Sequence, residues 1–374
     1  MFHINLFEPY INKKTWKAVK KVLKKKSLSQ GEEVNEFEEL VSYYCDDFNR
    51  AVATDSGTSA LHLAYILAGI GEGDEVLTTC LTCTATNIPL LHLKAKPVFC
   101  DINEHDLNIS VEDIKNKVNN KTKAIVVVHF GGIPVDYDEI YEVASYYGIP
   151  VIQDAAQAFG ASYRGKKVGG FGDFTTFSFQ AIKTLTTIDG GMIMLNNPEM
   201  VDRAKRLRWF GIDRSKKVER DNQIVWPREI TYDIDEPGFK YNMNNVTATI
   251  GLANLKGINK VLKRRVEIED YYRTFLTNVP GIKLLKPAKD RESSNWLFQV
   301  LVENREDFQV MMKEAGIEVN VSHTRNDLYK IFGGKRLDLP NMNKLEDHYV
   351  CLPIHHKLSC EDINNVVQTI RKGW

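Results

Sequence analysis

One aspartate and one lysine carry the chemistry most legible in this chain. Asp154 ends the apolar run Gly148-Ile149-Pro150-Val151-Ile152 and leads into Ala155-Ala156-Gln157. Lys183 follows the alternating stretch Phe174-Thr175-Thr176-Phe177-Ser178-Phe179, shortly before Thr186-Thr187 and the pair Gly190-Gly191. Both polar groups lie just past buried-strand patterns, where the active sites of open parallel sheets gather. A lysine there can form a Schiff base with an aldehyde cofactor and, once displaced by an amine, carry a proton to and from the neighbouring carbon. A carboxylate held against a pyridine nitrogen keeps that ring protonated and able to withdraw electrons. The chain has 49 Lys plus Arg, and a lone lysine would be read as a solvated charge. Paired with Asp154, it predicts pyridoxal 5'-phosphate, with Lys183 and Asp154 as the catalytic residues.

A phosphate needs its own cradle, and Thr54-Asp55-Ser56-Gly57-Thr58-Ser59-Ala60 supplies one pattern for it. The segment joins an apolar stretch to Leu61-His62-Leu63-Ala64-Tyr65-Ile66-Leu67, which has helical composition. It reads as strand, glycine turn, helix. Backbone N–H groups and the macrodipole at such a helix start attract a phosphate dianion, so Gly57, Thr58 and Ser59 are expected to bind it. In isolation the same motif would be an ordinary Ser/Thr cap.

The rest of the chain must hold these pieces in place. At 374 residues with 43% hydrophobic content, one large and one small domain are expected, residues 1–250 and 251–374. Apolar runs at 75–79, 96–100, 123–129, 150–154, 175–179 and 191–195 alternate with helix-like stretches such as 85–93 and 136–147. That alternation predicts an α/β fold, a large, mostly parallel sheet sandwiched by helices. A long helix over 246–275 leads into a smaller α+β unit with strands at 282–285 and 296–302, helices at 305–315 and 361–371, and an edge at 316–321. The polar segment 211–229 reads as a surface excursion near the substrate.

Charge and cysteine usage narrow the function classes. The 49 basic residues balance 49 acidic ones, so no nucleic-acid or membrane partner is expected. Lys13 to Lys26 around Trp16, Val19, Val22 and Leu23 reads as an amphipathic helix with a wet basic face. Six scattered cysteines, including the single C-x-x-C of Cys80 and Cys83, suggest reduced thiols, a cytoplasmic setting and no metal site. The start has no basic segment ahead of an apolar core, so no signal peptide is expected.

With these motifs placed, the chain resembles the DegT/StrS-type nucleotide-sugar aminotransferases, enzymes of the fold-type I pyridoxal phosphate class. The resemblance runs from Ser29-Gln30-Gly31 and Phe37-Glu38-Glu39 through Ser56 to Ala64, Gly71 to Val76, Asp154 to Ala158, Gly172-Asp173-Phe174 and Gly190-Gly191. It continues through Gly238 to Met243, Ala315-Gly316-Ile317, His323 and Leu352 to His355. It implies Ala156 under the cofactor ring, Gln157 near the ring hydroxyl, and Ser178 on the phosphate with Thr58 and Ser59. It implies that Lys240, Tyr241 and Asn242 reach the phosphate and substrate of a neighbouring subunit, hence a homodimer with shared sites, and that His323 faces the sugar.

Two departures stand out. Where the family commonly has a threonine-aromatic pair over the ring, this chain has Thr82-Cys83, so Cys83 is expected to pack on the cofactor. Where many members flank the tyrosine with asparagine and arginine, this chain has Lys240 and Asn242. The implied reaction moves an amino group from L-glutamate to the C4 or C3 keto group of a nucleotide-linked deoxy-hexose. A sugar dehydratase of the same fold is the nearest alternative, but the dehydratases replace the lysine with histidine. A non-catalytic regulator is another, though it would not need Asp154, Gln157, Ser178 and Lys183 together. The cationic stretch from Arg203 to Arg214 is expected near the diphosphate or base.

Overall fold

The computed structural model describes residues 2–25, 27–46, 50–216, 218–220, 223–225 and 233–374. Two helices, α1 (Thr15–Leu23) and α2 (Glu32–Tyr44), precede the first strand, β1 (Ala51–Thr54). Then come α3 (Gly57–Leu67), β2 (Glu75–Thr79), α4 (Thr84–His92), β3 (Lys96–Cys100), α5 (Val111–Lys117), β4 (Thr122–Val128), α6 (Tyr137–Tyr147) and β5 (Val151–Asp154). The two-residue strands β6 (Ser162–Tyr163) and β7 (Lys166–Lys167) form a small ribbon, followed by β8 (Phe174–Ser178) and β9 (Gly191–Leu195).

Seven of these strands make one sheet in the order β1-β9-β8-β5-β4-β2-β3, in which β9 alone runs against the others. The near-continuous apolar sequences of β4 and β9 follow from burial on both faces. Side chains alternate between two cores, as strand geometry requires. Val52, Val76, Ala124, Val126, Ile152 and Ile193 pack beneath α3. Leu77, Ile125, Val127 and Val151 pack under α6, and Ala53, Phe177 and Met192 under α2 and α8 (Asn245–Leu255). Helix α3 is apolar nearly all round because it is almost wholly buried against the sheet.

After β9, α7 (Pro198–Leu207) leads to β10 (Val218–Arg220), which pairs with β11 (Gln223–Val225). Much of the polar excursion expected over 211–229, namely residues 217, 221–222 and 226–229, lies outside the described residues.

The long helix expected over 246–275 is broken. Helix α8 ends at Leu255, and α9 (Ile258–Leu276) starts after Gly257. A Cβ on Gly257 would sit 1.8 Å from the Tyr10 hydroxyl, so the chain changes direction where the amino-terminal segment presses against it. Beyond lie β12 (Ile282–Leu284), β13 (Arg291–Glu292), β14 (Phe298–Val302), α10 (Arg305–Glu314), α11 (Pro340–Leu345), β15 (Tyr349–Leu352) and α12 (Cys360–Arg371).

The smaller sheet is β12-β14-β15, antiparallel throughout. Its third strand is not the expected edge at 316–321, which makes only single bridges, Ile317 to Ile4 and Asn320 to Cys351. Strand β15 takes that place because Val350 and Leu352 reach the core around Phe298, Phe308 and Ile363. Four consecutive apolar residues are too short a run to separate strand from turn by periodicity. Among the described residues, no helix is long and apolar enough to cross a membrane, and no cluster of metal-ligating side chains is present.

Candidate active site

Asp154 and Lys183 are brought together at the carboxyl ends of β5 and β8, which lie side by side. Asp154 is 4% exposed, and burial raises its pKa. Donors pull the other way: Thr86 Oγ1 donates to Asp154 Oδ2 at 2.7 Å, and the Ala156 N–H to Oδ1 at 3.0 Å. Lys183 lies in the turn after β8 with its Nζ 3.9 Å from the Trp296 ring centroid. Burial lowers its pKa to about 8, while Asp154 and then Cys83 act in the opposite direction. An amine near neutrality in its proton affinity can take and return a proton at working pH.

Gln157 and His323 close one side. The Gly131 N–H donates to Gln157 Oε1 at 2.7 Å, which turns the Gln157 amide nitrogen toward His323 Nε2, 3.2 Å away. His323 Nε2 therefore accepts, and its proton sits on Nδ1. Burial, then the charge of Lys183, hold the His323 pKa down to about 3, so the ring is neutral. Trp296 stacks on His323 with centroids 6.1 Å apart and donates its Nε1–H to the Ile182 carbonyl at 2.9 Å. Ala156 lies in the turn after β5, and Cys83 is the exposed residue that precedes α4.

The phosphate segment adopts the expected strand, turn and helix. Ser56 caps α3 by accepting from the Ser59 N–H at 3.1 Å, and the Gly57 and Thr58 N–H groups are left at the open first turn. A Cβ on Gly57 would come within 2.7 Å of Ser178 Cβ, and one on Gly191 within 2.2 Å of the Ser56 carbonyl oxygen. The start of α3 and the neighbouring ends of β8 and β9 thus approach to a distance only glycine permits, which puts Gly57, Thr58, Ser59 and Ser178 in one place.

Lys240, Tyr241 and Asn242 form a second group. Asn242 bridges to Thr54, the last residue of β1, and the Tyr241 carbonyl accepts from the Asp55 N–H at 2.7 Å. Lys240 is exposed, and its Nζ donates to Asn242 Oδ1 at 2.5 Å and lies 4.5 Å from the Trp209 ring centroid. Tyr241 turns into its own chain, stacked on Phe239, with its hydroxyl 3.0 Å from His62 Nδ1. Among the described residues, no hydrogen bond or ring contact joins this group to Lys183.

The cationic stretch divides. Arg203 pairs bidentately with Glu236, and Arg208 is buried against Glu38 and the Ala53 carbonyl. Arg206 and Arg214 line a cavity of about 860 Å³ with Lys205, Trp209, Gln30 and Lys25, and the buried Arg208 forms part of the same wall. Arg214 lies over Trp209 at 4.6 Å, on the same ring that Lys240 meets.

Sequence reasoning passed over Thr86 and Trp296. Thr86 was absorbed into the helix-like stretch 85–93, and its one signal is a hydroxyl at a fully buried helix position. Trp296 read as the start of a strand; nothing local marks it as the floor beneath Lys183, because the two are distant in sequence.

The residues fit pyridoxal phosphate: a buried carboxylate with lone pairs to spare, an amine of lowered proton affinity, and a glycine-tight turn at a helix start. Comparisons with known proteins agree. The profile of the DegT/DnrJ/EryC1/StrS aminotransferase family matches residues 9–371. The uncharacterized protein MJ1066 of Methanocaldococcus jannaschii is 36% identical, over 98% of this chain and 96% of its own. UDP-4-amino-4-deoxy-L-arabinose–oxoglutarate aminotransferase of Shewanella sediminis is 32% identical over 98% and 96%, and GDP-perosamine synthase of Escherichia coli O157:H7 is 32% identical over 100% and 99%. Among solved structures, AtS13 of Actinomadura melliaura superimposes with a TM-score of 0.94 at 36% identity, covering 100% of both chains. The sugar aminotransferase CalS13 of Micromonospora echinospora gives 0.91 at 33%, covering 99% of each. Spr1654 of Streptococcus pneumoniae, in its PLP form, gives 0.89 at 27%, covering 98% of this chain and 97% of its own. Sequence, sheet order and site geometry lead to one conclusion: the chain belongs to the DegT/DnrJ/EryC1/StrS aminotransferase family, and it is a fold-type I enzyme with pyridoxal 5'-phosphate as its cofactor.

Proposed function

We propose that this enzyme transfers an amino group from L-glutamate to the C4 or C3 keto group of a nucleotide-linked deoxy-hexose, for amino-sugar and surface-polysaccharide biosynthesis. The observation that carries the reading is the convergence of a buried carboxylate and a lysine of pKa about 8 at adjacent strand ends. The names of two relatives support a nucleotide-linked sugar as substrate: one specifies a UDP-linked 4-amino-4-deoxy pentose with oxoglutarate, the other a GDP-sugar product. Carbon 4 is favoured by the first of these.

When bound, pyridoxal phosphate supplies the aldehyde that holds the amino group and the ring that takes up electron density. Lys183 bonds to it and, when free, moves a proton at the substrate carbon through Nζ. Asp154 holds a proton on the pyridine nitrogen. Gly57, Thr58, Ser59 and Ser178 bind the phosphate through N–H and hydroxyl donors. Ala156 and Cys83 would pack against the cofactor ring, and Gln157 would donate to its oxygen with the second amide proton. His323, neutral and with its proton on Nδ1, can donate to a sugar hydroxyl.

Lys240 and Asn242 complete the phosphate site of a second subunit, with Tyr241 beside the substrate there, so the working unit is a homodimer with shared sites. The support is that Lys240 is an exposed cation, held by Asn242 and the Trp209 ring and able to meet a phosphate. The cavity of about 860 Å³ has room for a nucleoside diphosphate, and Arg206, Arg214 and Lys205 on its wall, beside Glu32, Glu33, Asp202 and Asp213, offer the donors for its phosphates. We place the enzyme in the cytoplasm, a setting that suits its six scattered cysteines.

The test is a half-reaction. Purified protein loaded with cofactor should absorb in the visible, and L-glutamate should bleach that band. A nucleotide-linked keto-sugar should then restore it. A band indifferent to L-glutamate would exclude this donor.

A further inference from the structure

Both groups that donate to the Asp154 carboxylate are neutral, and one of them is itself held in a fixed direction. Thr86 Oγ1 lies 2.7 Å from Asp154 Oδ2 and 2.7 Å from Thr82 Oγ1. A hydroxyl has one proton, and an ionised carboxylate only accepts. Thr86 must therefore donate to Asp154, so its bond with Thr82 is one in which Thr82 donates. The result is a one-way chain from Thr82 to Thr86 to Asp154, with neither threonine able to reverse while the carboxylate is charged.

The surroundings remove other choices. Thr82 and Thr86 are 1% and 0% exposed, so no bulk water competes for either hydroxyl. The Tyr65 hydroxyl donates to the Thr86 carbonyl at 2.8 Å, and the Thr86 N–H to the Cys83 carbonyl at 3.0 Å, which pins the backbone beneath the hydroxyl. Asn326 Nδ2 donates to the Thr82 carbonyl at 2.7 Å, tying this end to the segment that carries His323. Of the titratable groups facing Asp154, Tyr65 has committed its proton to Thr86, and Lys183 is the other.

We propose that Thr86, with Thr82 behind it, is a positioning pair that aims Asp154 and sets how tightly its carboxylate holds a proton, and thereby the charge of the pyridine ring it faces. This inference rests on Asp154 being the pyridine partner. Hydrogen bonds to a carboxylate favour its ionised form, and a bond to a charged group inside a low-dielectric site is stronger than a neutral one. Thr86 thus opposes the burial that would otherwise protonate Asp154. Oδ1 is held by the Ala156 N–H, which leaves the remaining lone pairs of the carboxylate for the ring nitrogen.

The experiment uses cofactor-loaded protein and reads two quantities besides activity: the pyridoxal phosphate dissociation constant and the pH midpoint of the bound cofactor's visible band. Thr86→Val, close in shape but without the donor, should weaken cofactor binding about tenfold. It should move the midpoint up by about one pH unit. The direction follows because a carboxylate that loses a donor becomes more basic, takes up the shared proton and leaves the ring less electron-withdrawing. Thr86→Ser keeps the hydroxyl and should restore both values, which a purely steric role for Thr86 would not predict. Thr82→Val should shift the midpoint the same way by less. Should Thr86→Val fail to fold, Thr82→Val carries the test, and an unmoved midpoint there overturns the inference. Asp154→Asn is the reference. If it alters midpoint and affinity while Thr86→Val alters neither, the positioning role is wrong and the reading of Asp154 stands; if Asp154→Asn also alters neither, both fall.

Discussion

The ends of β5 and β8 and the segment around Trp209 and Lys240 hold the molecule's two concentrations of functional side chains, and they are built in opposite ways. At the strand ends, Asp154, Gln157 and Thr86 are buried, and their hydrogen bonds fix both the direction of donation and the tautomer of His323. Around Trp209, the cations Arg206, Arg214 and Lys240 face an open cavity or solvent, and Lys240 and Arg214 share one aromatic ring in place of a carboxylate. Pre-organised dipoles in a water-poor pocket suit a reaction whose charges move little and always along the same path. Cations at the wall of an open cavity suit a charged ligand that enters and leaves. The comparison separates the chemistry, set by sheet ends, from the choice of substrate, set by loops and helix ends.

Substitutions at the first region should therefore act on turnover, and those at the second on substrate binding. Lys183→Ala should have the largest effect, lowering kcat by at least about a thousandfold, since the proton carrier is lost. Steady-state assay with glutamate and a nucleotide-linked keto-sugar would check it, and a kcat within tenfold of wild type would break the assignment. Next is Gly191→Ala. Its Cβ would meet the Ser56 carbonyl at 2.2 Å, a backbone neighbour that cannot swing aside. A stability loss of about 1–3 kcal/mol in urea unfolding is expected, together with weaker cofactor binding, because the start of α3 must move.

Arg206→Ala and Arg214→Ala sharpen the other side of the comparison. Each should raise KM for the nucleotide sugar about tenfold, with kcat and the glutamate KM nearly unchanged. A fall in kcat with KM constant would place these residues with the chemistry.

The smallest effect is on stability against pH in protein stripped of cofactor. Folding lowers the Lys183 pKa from 10.5 to about 8, so the unfolded chain binds this proton more tightly. Stability must then rise with pH across that window, and the penalty of burying the amine is at its full value below about 8. Lys183→Met should raise the Tm at pH 7 by about 2–4 °C, with the advantage shrinking toward pH 10.5. A constant difference across that range would show that the amine is already well solvated.

Much of this was legible without coordinates. The strands at 75–79 and 96–100, and at 151–154 within the expected 150–154, follow from short apolar cores such as Val76-Leu77, Val98-Phe99 and Val151-Ile152, and the α3 cap from Ser56 and Gly57, because both depend on neighbours in sequence. The continuous helix over 246–275 failed on a residue no local rule could supply, Tyr10, which meets Gly257 from more than two hundred positions away. Strand β15 was missed because its burial comes from α12 and β14 and not from its own pattern. Arg203 and Arg208 looked equivalent to Arg206 and Arg214, and only the placement of Glu236 and Glu38 separates the paired from the open cations.

The chain's residue order by itself determined which groups could do chemistry: a lysine and an aspartate after apolar strands, and a glycine turn before a helix. The side-chain types and the strand period carry that information locally. The tertiary structure decided what those groups are worth. Burial brings Lys183 to about 8, Thr86 directs Asp154, and Trp296 lies under Lys183 from the segment just before β14, over a hundred residues later. Proton affinity and orientation are properties of surroundings, and surroundings exist only once distant segments have packed.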